Sequence, residues 1–401
     1  MTGSQAWIGA AEAAERLGVS RATLYAYVSR GYLRSQATAG PSRERLYSHD
    51  DVERLRRRTE ERRAPDKAAA RALQWGMPIL ESSIALIDGR KLYYRGHDAA
   101  ALARTRSLEE VASLIWTGSF ELPASATTRP SLQSVESRKR PFLARAHSML
   151  ASAAAQDPLA VDLRASAVAA AGYRIVRLLT AAATGRSPDT ESVEDALARH
   201  WKVRAGGVGL LRAALIACAD HELNVSSFTA LCVASAGSHP YAVVSAGLAA
   251  LEGPRHGGAT ARVEAMLESV RGVRALEDAL AARLRRGESV DGFGHPLYRD
   301  GDPRARLLLE LIAAGQYGRS AEGRFVAAVA KAAARVTGDL PNVDFGLAAL
   351  GRTLRLPAGS PLVIFAIGRS IGWIGHAIEQ YANGQLIRPR ARYVGVPPVQ
   401  P

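Results

Sequence analysis

The chain has 401 residues, 47% hydrophobic and 22% charged, which excludes a fibrous or disordered chain and allows a large core with an appended module. Aromatics are only 6% while alanine, leucine and arginine abound, a composition that leans towards helix. A net charge of +14 suggests nucleic acid or small anions as partners, but an arginine-rich composition alone gives the same skew, so the placement of the charge must decide.

Residues 1–63 form the first expected module. AAEAAERLGVSRATLYAYVSRGYL predicts a helix, a tight turn at Leu17-Gly18-Val19 and a second helix capped by Ser20. The second helix presents Arg21, Thr23, Tyr25 and Tyr27 at its start, as a helix-turn-helix needs to meet phosphates and base edges. The next stretch, GPSRERLYSHDDVERLRRR, resembles the wing and following helix of MerR- or excisionase-like winged helices. Arg43 and Arg45 would sit on that wing, giving Arg21, Thr23, Tyr25, Arg43 and Arg45 as expected DNA contacts. A helical hairpin that binds protein is the plainer reading. Residues 64–74, charged and alanine-rich after Pro65, are expected to connect the module to a second domain spanning 75–401.

That domain opens with two β-like runs around Asp88-Gly89, a hairpin signal. SLEEVASLIWTGSFELP then predicts a helix with a Ser107/Glu110 capping box. Ser125 to Arg140 is polar and expected to be a loop. From Pro141 onward, alanine and leucine recur at helical spacing, broken by short Gly/Pro/Asn loops, so the domain is expected to be all-α and multi-helical. Cys218 and Cys232 lie in apolar helical sequence and read as core residues of a reducing compartment. The N-terminus lacks a signal-peptide layout, and Arg369 interrupts the most apolar stretch. A cytoplasmic protein with no bilayer span is expected.

Polar groups break the apolar helices at five places. The fullest is GFGHPLYRDGDPRARLLLE, where His295, Arg299 and Arg304 share a glycine-rich loop that ends at Asp302-Pro303. One imidazole and two guanidiniums on such a loop suit a small polyanion. The others are ADHELNVS with His221, GPRHGGATA with His256, LPNVDFG with Asp344, and the closing IFAIGRSIGWIGHAIEQ and IRPRARYVG with Arg369 and Arg388. Each alone has a bland explanation, such as a bonded core histidine or a solvated tail. HExxH, paired CxxC, a P-loop and a dinucleotide fingerprint are missing, and no GxSxG stands at a strand-to-helix elbow, so zinc, a serine triad and nucleotide-phosphate cradling are not expected.

In their order along the chain, from Trp75 to Gly395, these motifs make the chain similar to the citrate synthase family. The resemblance implies a helical homodimer with large and small domains (the small one about 205–310) that condenses acetyl-CoA with oxaloacetate and hydrolyses the thioester, without a cofactor or metal. It also implies roles. Asp344 would take the proton beside the thioester carbonyl, His256 would hydrogen-bond the enolate oxygen, and His295 would polarise the oxaloacetate ketone. His221, Arg304 and Arg369 would hold oxaloacetate, Arg388 would reach in from a second subunit, and Arg299 would meet the CoA phosphates.

Four features depart from the family pattern. Thr260 stands where asparagine is common, Arg255 replaces a leucine, 125–205 looks short, and the N-terminal module is foreign to housekeeping members. None removes a catalytic side chain. A 2-methylcitrate synthase using propionyl-CoA is the nearest alternative, and a DNA-binding regulator that senses these metabolites is the alternative from another class.

Overall fold

The computed structural model describes residues 7–29, 32–37, 45–53, 55, 80–124, 140–187 and 189–397. Arg43, the 64–74 connector and most of the polar stretch after Ser125 lie outside the described residues. Contacts divide the chain into two units, Met1–Glu81 and Ser82–Pro401.

The first unit is a small winged helix-turn-helix. Strand β1 (Trp7–Gly9) leads into helices Ala10–Leu17 and Arg21–Ser29, followed by β2 (Ser35–Ala37) and β3 (Arg45–Ser48). β3 lies between β1 and β2, antiparallel to both, with Ile8 opposite Tyr47 and Gln36 opposite Leu46. Gly18 takes the left-handed conformation (φ 61°) that ends the first helix, and the Ser20 hydroxyl accepts from Thr23 N at 3.2 Å to start the second. Ile8, Ala13, Leu17, Leu24, Leu33, Tyr47 and Val52 form its core. Asp51, which is buried, accepts from both Arg34 N and Arg34 Nε at 3.0 and 2.8 Å.

On this unit Arg21 and Arg45 are exposed and Tyr25 is 53% exposed. Thr23 is half-buried, its hydroxyl 3.0 Å from that of Ser20, so it belongs partly to the helix cap.

The second unit is helical after a short antiparallel sheet of Ala85–Asp88, Lys91–Tyr94 and His97–Asp98. Gly89 supplies the left-handed turn residue (φ 57°) that the hairpin needs. The capping box forms as expected: Glu110 N donates to Ser107 Oγ at 3.1 Å and Ser107 N to Glu110 Oε2 at 2.8 Å.

Helix Ser360–Asn383 is the axis of this unit. Helices Ala165–Thr184, Ala205–Ala217, Val225–Ser235 and Pro240–Leu251 pack on it. Its hydrophobicity runs all round because its neighbours surround it. Among the described residues it alone is long and apolar enough to cross a membrane, and 89% of that stretch is buried inside the fold. Glycines let neighbours close in. A Cβ on Gly368 would come 2.4 Å from the Leu215 carbonyl oxygen, and one on Gly247 would come 2.5 Å from the Trp373 ring.

Candidate active site

The glycine-rich loop is strapped to the turn ahead of helix Val343–Leu354. Gly294 N donates to Leu340 O, Asn342 N to Gly292 O and Asn342 Nδ2 to Gly294 O, at 2.9, 2.9 and 3.1 Å. Gly292 has φ 90°, and a Cβ there would sit 2.9 Å from Phe345 Cβ, so this close approach requires glycine. The strap brings His295 and Asp344 to one place although 48 positions separate the residues it joins. Asn342 also caps the helix, its Oδ1 accepting from Asp344 N at 3.0 Å.

Asp302 locks Arg304 in the same corner. Its carboxylate takes Arg304 Nε and Nη2 at 2.9 and 2.7 Å and Val343 N at 3.0 Å, and both side chains are essentially inaccessible. Burial disfavours their charges, but each outweighs that for the other: Asp302 is held below the ordinary carboxylate range and Arg304 is raised. Among the described residues Asp344 has no such partner. Burial pushes its pKa from 3.8 up to about 6, against the pull of Arg304.

Three histidines complete the set. His295 Nδ1 accepts the Leu297 backbone N–H at 3.2 Å. Burial, and then Arg304, lower its pKa to about 4, so at neutral pH the ring is neutral with its proton on Nε2. His221 stands edge-on to His295 (centroids 5.2 Å apart), with Nε2 2.9 Å from the Tyr298 hydroxyl. Burial and the positive charges of Arg304 and Arg369 depress its pKa well below the ordinary value.

His256 precedes helix Gly258–Ser269 in a turn that only glycine permits, since a Cβ on Gly257 would come 2.3 Å from the Leu251 carbonyl oxygen. Its Nε2 lies 2.8 Å from Ser226 Oγ, its ring is edge-on to Phe365, and burial with Arg369 lowers its pKa to about 4.

Arg369 lies across Phe365, 4.8 Å from the ring centre, and is fully buried. Nε donates to the Cys218 carbonyl at 2.7 Å, while Nη1 and Nη2 have no partner among the described residues. Burial lowers its pKa, and Asp220 is the charge that most opposes this. Two unsatisfied buried nitrogens on a cation are costly unless an anion arrives.

His221, His256, His295, Asp344, Arg304 and Arg369 therefore share one electrostatic neighbourhood. Arg304 acts on His221, His295 and Asp344, while Arg369 acts on His221, His256 and Asp344. Arg299 and Arg388 are exposed, Arg388 in the extended segment after the last helix. Among the described residues neither makes a hydrogen bond or ion pair to the others.

The sequence reading missed the residues that hold the site together: Asp302, Tyr298, Ser226 and Asn342. The Asp-Pro helix start and the Asn-x-Asp cap were signals for two of them. Nothing in the sequence linked Ser226 to His256 or Tyr298 to His221.

Residues 72–390 match the family model for the citrate synthase C-terminal domain, and residues 7–59 match a helix-turn-helix domain. The chain is 33% identical over 362 residues to citrate synthase 2 of Bacillus subtilis, covering 82% of this chain and 96% of that one. It is 30% identical over 342 residues to the 2-methylcitrate synthase of Shewanella oneidensis, covering 78% and 91%. Among solved structures, citrate synthase from Thermotoga maritima superposes with a TM-score of 0.67 at 27% identity, over 81% of this chain and 96% of that one. The Thermoplasma acidophilum citrate synthase, solved with carboxymethyl coenzyme A and oxaloacetate, gives 0.70 at 22% identity, over 82% and 97%, a likeness of fold.

Proposed function

Because this chain belongs to the citrate synthase family, we propose that it condenses acetyl-CoA with oxaloacetate and hydrolyses the citryl thioester to citrate and CoA, with no cofactor. The observation that carries this is the pairing of a carboxyl raised to about 6 at Asp344 with two neutral imidazoles, His256 and His295. A base near pKa 6 is ionised at neutral pH yet takes a proton more readily than an ordinary carboxylate.

In the proposed reaction Asp344 removes a proton from the acetyl methyl group, and His256 donates a hydrogen bond to the oxygen that becomes the enol. Ser226 sets the ring for this. Its hydroxyl proton lies within reach of both His256 Nε2 and Asn224 Oδ1, at 2.8 and 2.9 Å. Turned towards His256, it leaves the ring proton on Nδ1 for the substrate. The enol carbon attacks the oxaloacetate ketone while the Nε2 proton of His295 passes to the new alkoxide. The proton taken by Asp344 then restores His295, water adds its oxygen to the citryl carbonyl to make the new carboxylate, and CoA leaves as the thiol with one of the water's protons while the other goes to solvent.

His221, Arg304 and Arg369 hold the oxaloacetate carboxylates. The open nitrogens of Arg369 suit a carboxylate best. Arg388 completes the site from a second copy in a homodimer. That role fits its exposed place on a tail where Tyr393, Val394 and Val396 are also exposed. Arg299 meets CoA phosphate.

We assign residues 1–63 as a DNA-binding module, 64–74 as its connector, and about 205–310 as the small subdomain that closes over the substrates. Arg21, Thr23, Tyr25, Arg43 and Arg45 are the DNA contacts, supported by the helix-turn-helix match and by the exposure of Arg21, Tyr25 and Arg45. The enzyme acts in the cytoplasm, in the tricarboxylic acid cycle.

A second reading, 2-methylcitrate synthesis from propionyl-CoA, is favoured by the Shewanella relative. A regulator that only senses these metabolites would not need the complete set of His256, His295 and Asp344. A thiol-release assay with acetyl-CoA and propionyl-CoA, each with and without oxaloacetate, decides among the three. Release with acetyl-CoA that requires oxaloacetate supports the first reading, faster release with propionyl-CoA the second, and none with either the regulator.

A further inference from the structure

Arg369, Gly372 and His376 occupy one stripe of the core helix, at spacings of three and four residues. Asp220 lies in the notch at the middle of this stripe. A Cβ on Gly372 would come 2.3 Å from Asp220 Oδ1, and Gly372 N donates to the neighbouring Ala219 carbonyl at 2.9 Å. Asp220 Oδ1 is 3.1 Å from His376 Nε2, with both side chains out of contact with solvent. Its other oxygen, Oδ2, has no partner among the described residues.

A buried guanidinium with two open nitrogens thus shares its surroundings with a buried carboxylate that has one open oxygen. Asp220 is the charge that most favours the ionised Arg369, and a forked pair of the kind Arg304 and Asp302 make in the same site is the competing arrangement. We infer that His376 is a positioning residue: by holding Asp220 in the Gly372 notch, it keeps that carboxylate from pairing with Arg369 and reserves the guanidinium for the substrate.

His376 is equipped for this. Burial disfavours its charge, but Asp220, and then Glu379 at 3.9 Å from Nδ1, outweigh it and raise its pKa. Glu379 is itself fixed by the Ser83 backbone N–H and by both the Ser82 and Ser83 hydroxyls. The clasp is therefore anchored on the side away from Arg369. A histidine that merely satisfied a buried aspartate would account for the His376 contact, but not for an arginine left open beside that aspartate.

The inference rests on Arg369 binding an oxaloacetate carboxylate, and the test separates the two. Steady-state kinetics are measured on the full chain for His376→Ala, the double variant His376→Ala/Asp220→Asn, and Arg369→Gln, with melting temperatures to confirm folding. His376→Ala should raise the oxaloacetate KM about tenfold or more with a much smaller change in kcat, as expected when a charged hydrogen bond is diverted. The double variant should bring KM back towards wild type, because no carboxylate remains to capture Arg369.

If Arg369→Gln leaves KM unchanged, the substrate reading of Arg369 fails and the clasp with it. If Arg369→Gln raises KM but the double variant is no better than His376→Ala, the clasp alone is overturned. Should His376→Ala not fold, His376→Gln takes its place, since a neutral amide holds Asp220 less firmly. Rescue by Asp220→Asn remains the deciding outcome.

Discussion

Replacing Asp344 by asparagine separates what its carboxylate does from what it costs to hold. The substitution keeps the side chain's size and the Asp344 N–H bond to Asn342 Oδ1. Burial raises the carboxyl from 3.8 to about 6, so the folded chain binds this proton more tightly than the unfolded chain. For an acid shifted upward, the associated stability is full below the unfolded pKa and is lost as pH rises through the folded one. A shift of roughly 2 units, at about 1.4 kcal/mol each, means the ionised side chain destabilises the fold by up to about 3 kcal/mol at neutral pH.

Asp344→Asn should therefore melt higher than wild type at pH 7.5, with the gain fading towards pH 4. Its thiol release should fall to background. In the wild-type enzyme kcat/KM should halve near pH 6 and fall further on acidification, as the base takes up its proton. Melting curves at several pH values and the thiol assay give both readouts. A melting difference that does not change with pH would refute the buried-carboxylate argument. Retained turnover in the asparagine variant would refute its role as the base.

Arg388→Ala should raise the oxaloacetate KM while leaving the melting temperature within a degree or two, since the residue is exposed in one copy of the chain; an unchanged KM removes it from the site. Arg21→Ala should weaken DNA binding and reduce the slope of log affinity against log salt by about 1, read by fluorescence anisotropy across a salt series. If the intact protein has no salt-sensitive DNA affinity, the N-terminal unit does not bind DNA. Gly372→Ala should destabilise the fold by about 1–3 kcal/mol through its clash with Asp220 and Ala219. A melting temperature equal to wild type would mean that the notch has room to spare.

Local chemistry made much of this fold legible in advance. Asp88-Gly89 marked its hairpin, Ser107 and Glu110 their capping box, and the Gly18 turn its two helices, because each signal lies within four residues of what it controls. β1 was not legible: three residues are too few for a period, and the pairing to β3 spans the unit.

The same division runs through the site. His221, His256, His295 and Asp344 stood out as polar residues interrupting apolar helices. What they touch did not, because Ser226–His256 and Tyr298–His221 are contacts between distant segments. Arg304 was expected to hold oxaloacetate, and Asp302 already occupies two of its nitrogens. Arg369 was read from the same kind of signal and is the one left open.

The strap between Gly292–Gly294 and Leu340–Asn342 has a mechanical consequence. The proposed acid and base ride on one stitched piece of backbone, so their spacing is set when the chain folds. Since the strap ties the 205–310 segment to Leu340–Asn342, any closing motion has to carry both, and the cleft could open and shut many times without retuning the distance over which the proton and the new bond must travel. Cutting one stitch, the Asn342 side chain, would loosen that spacing and leave every reacting group in place.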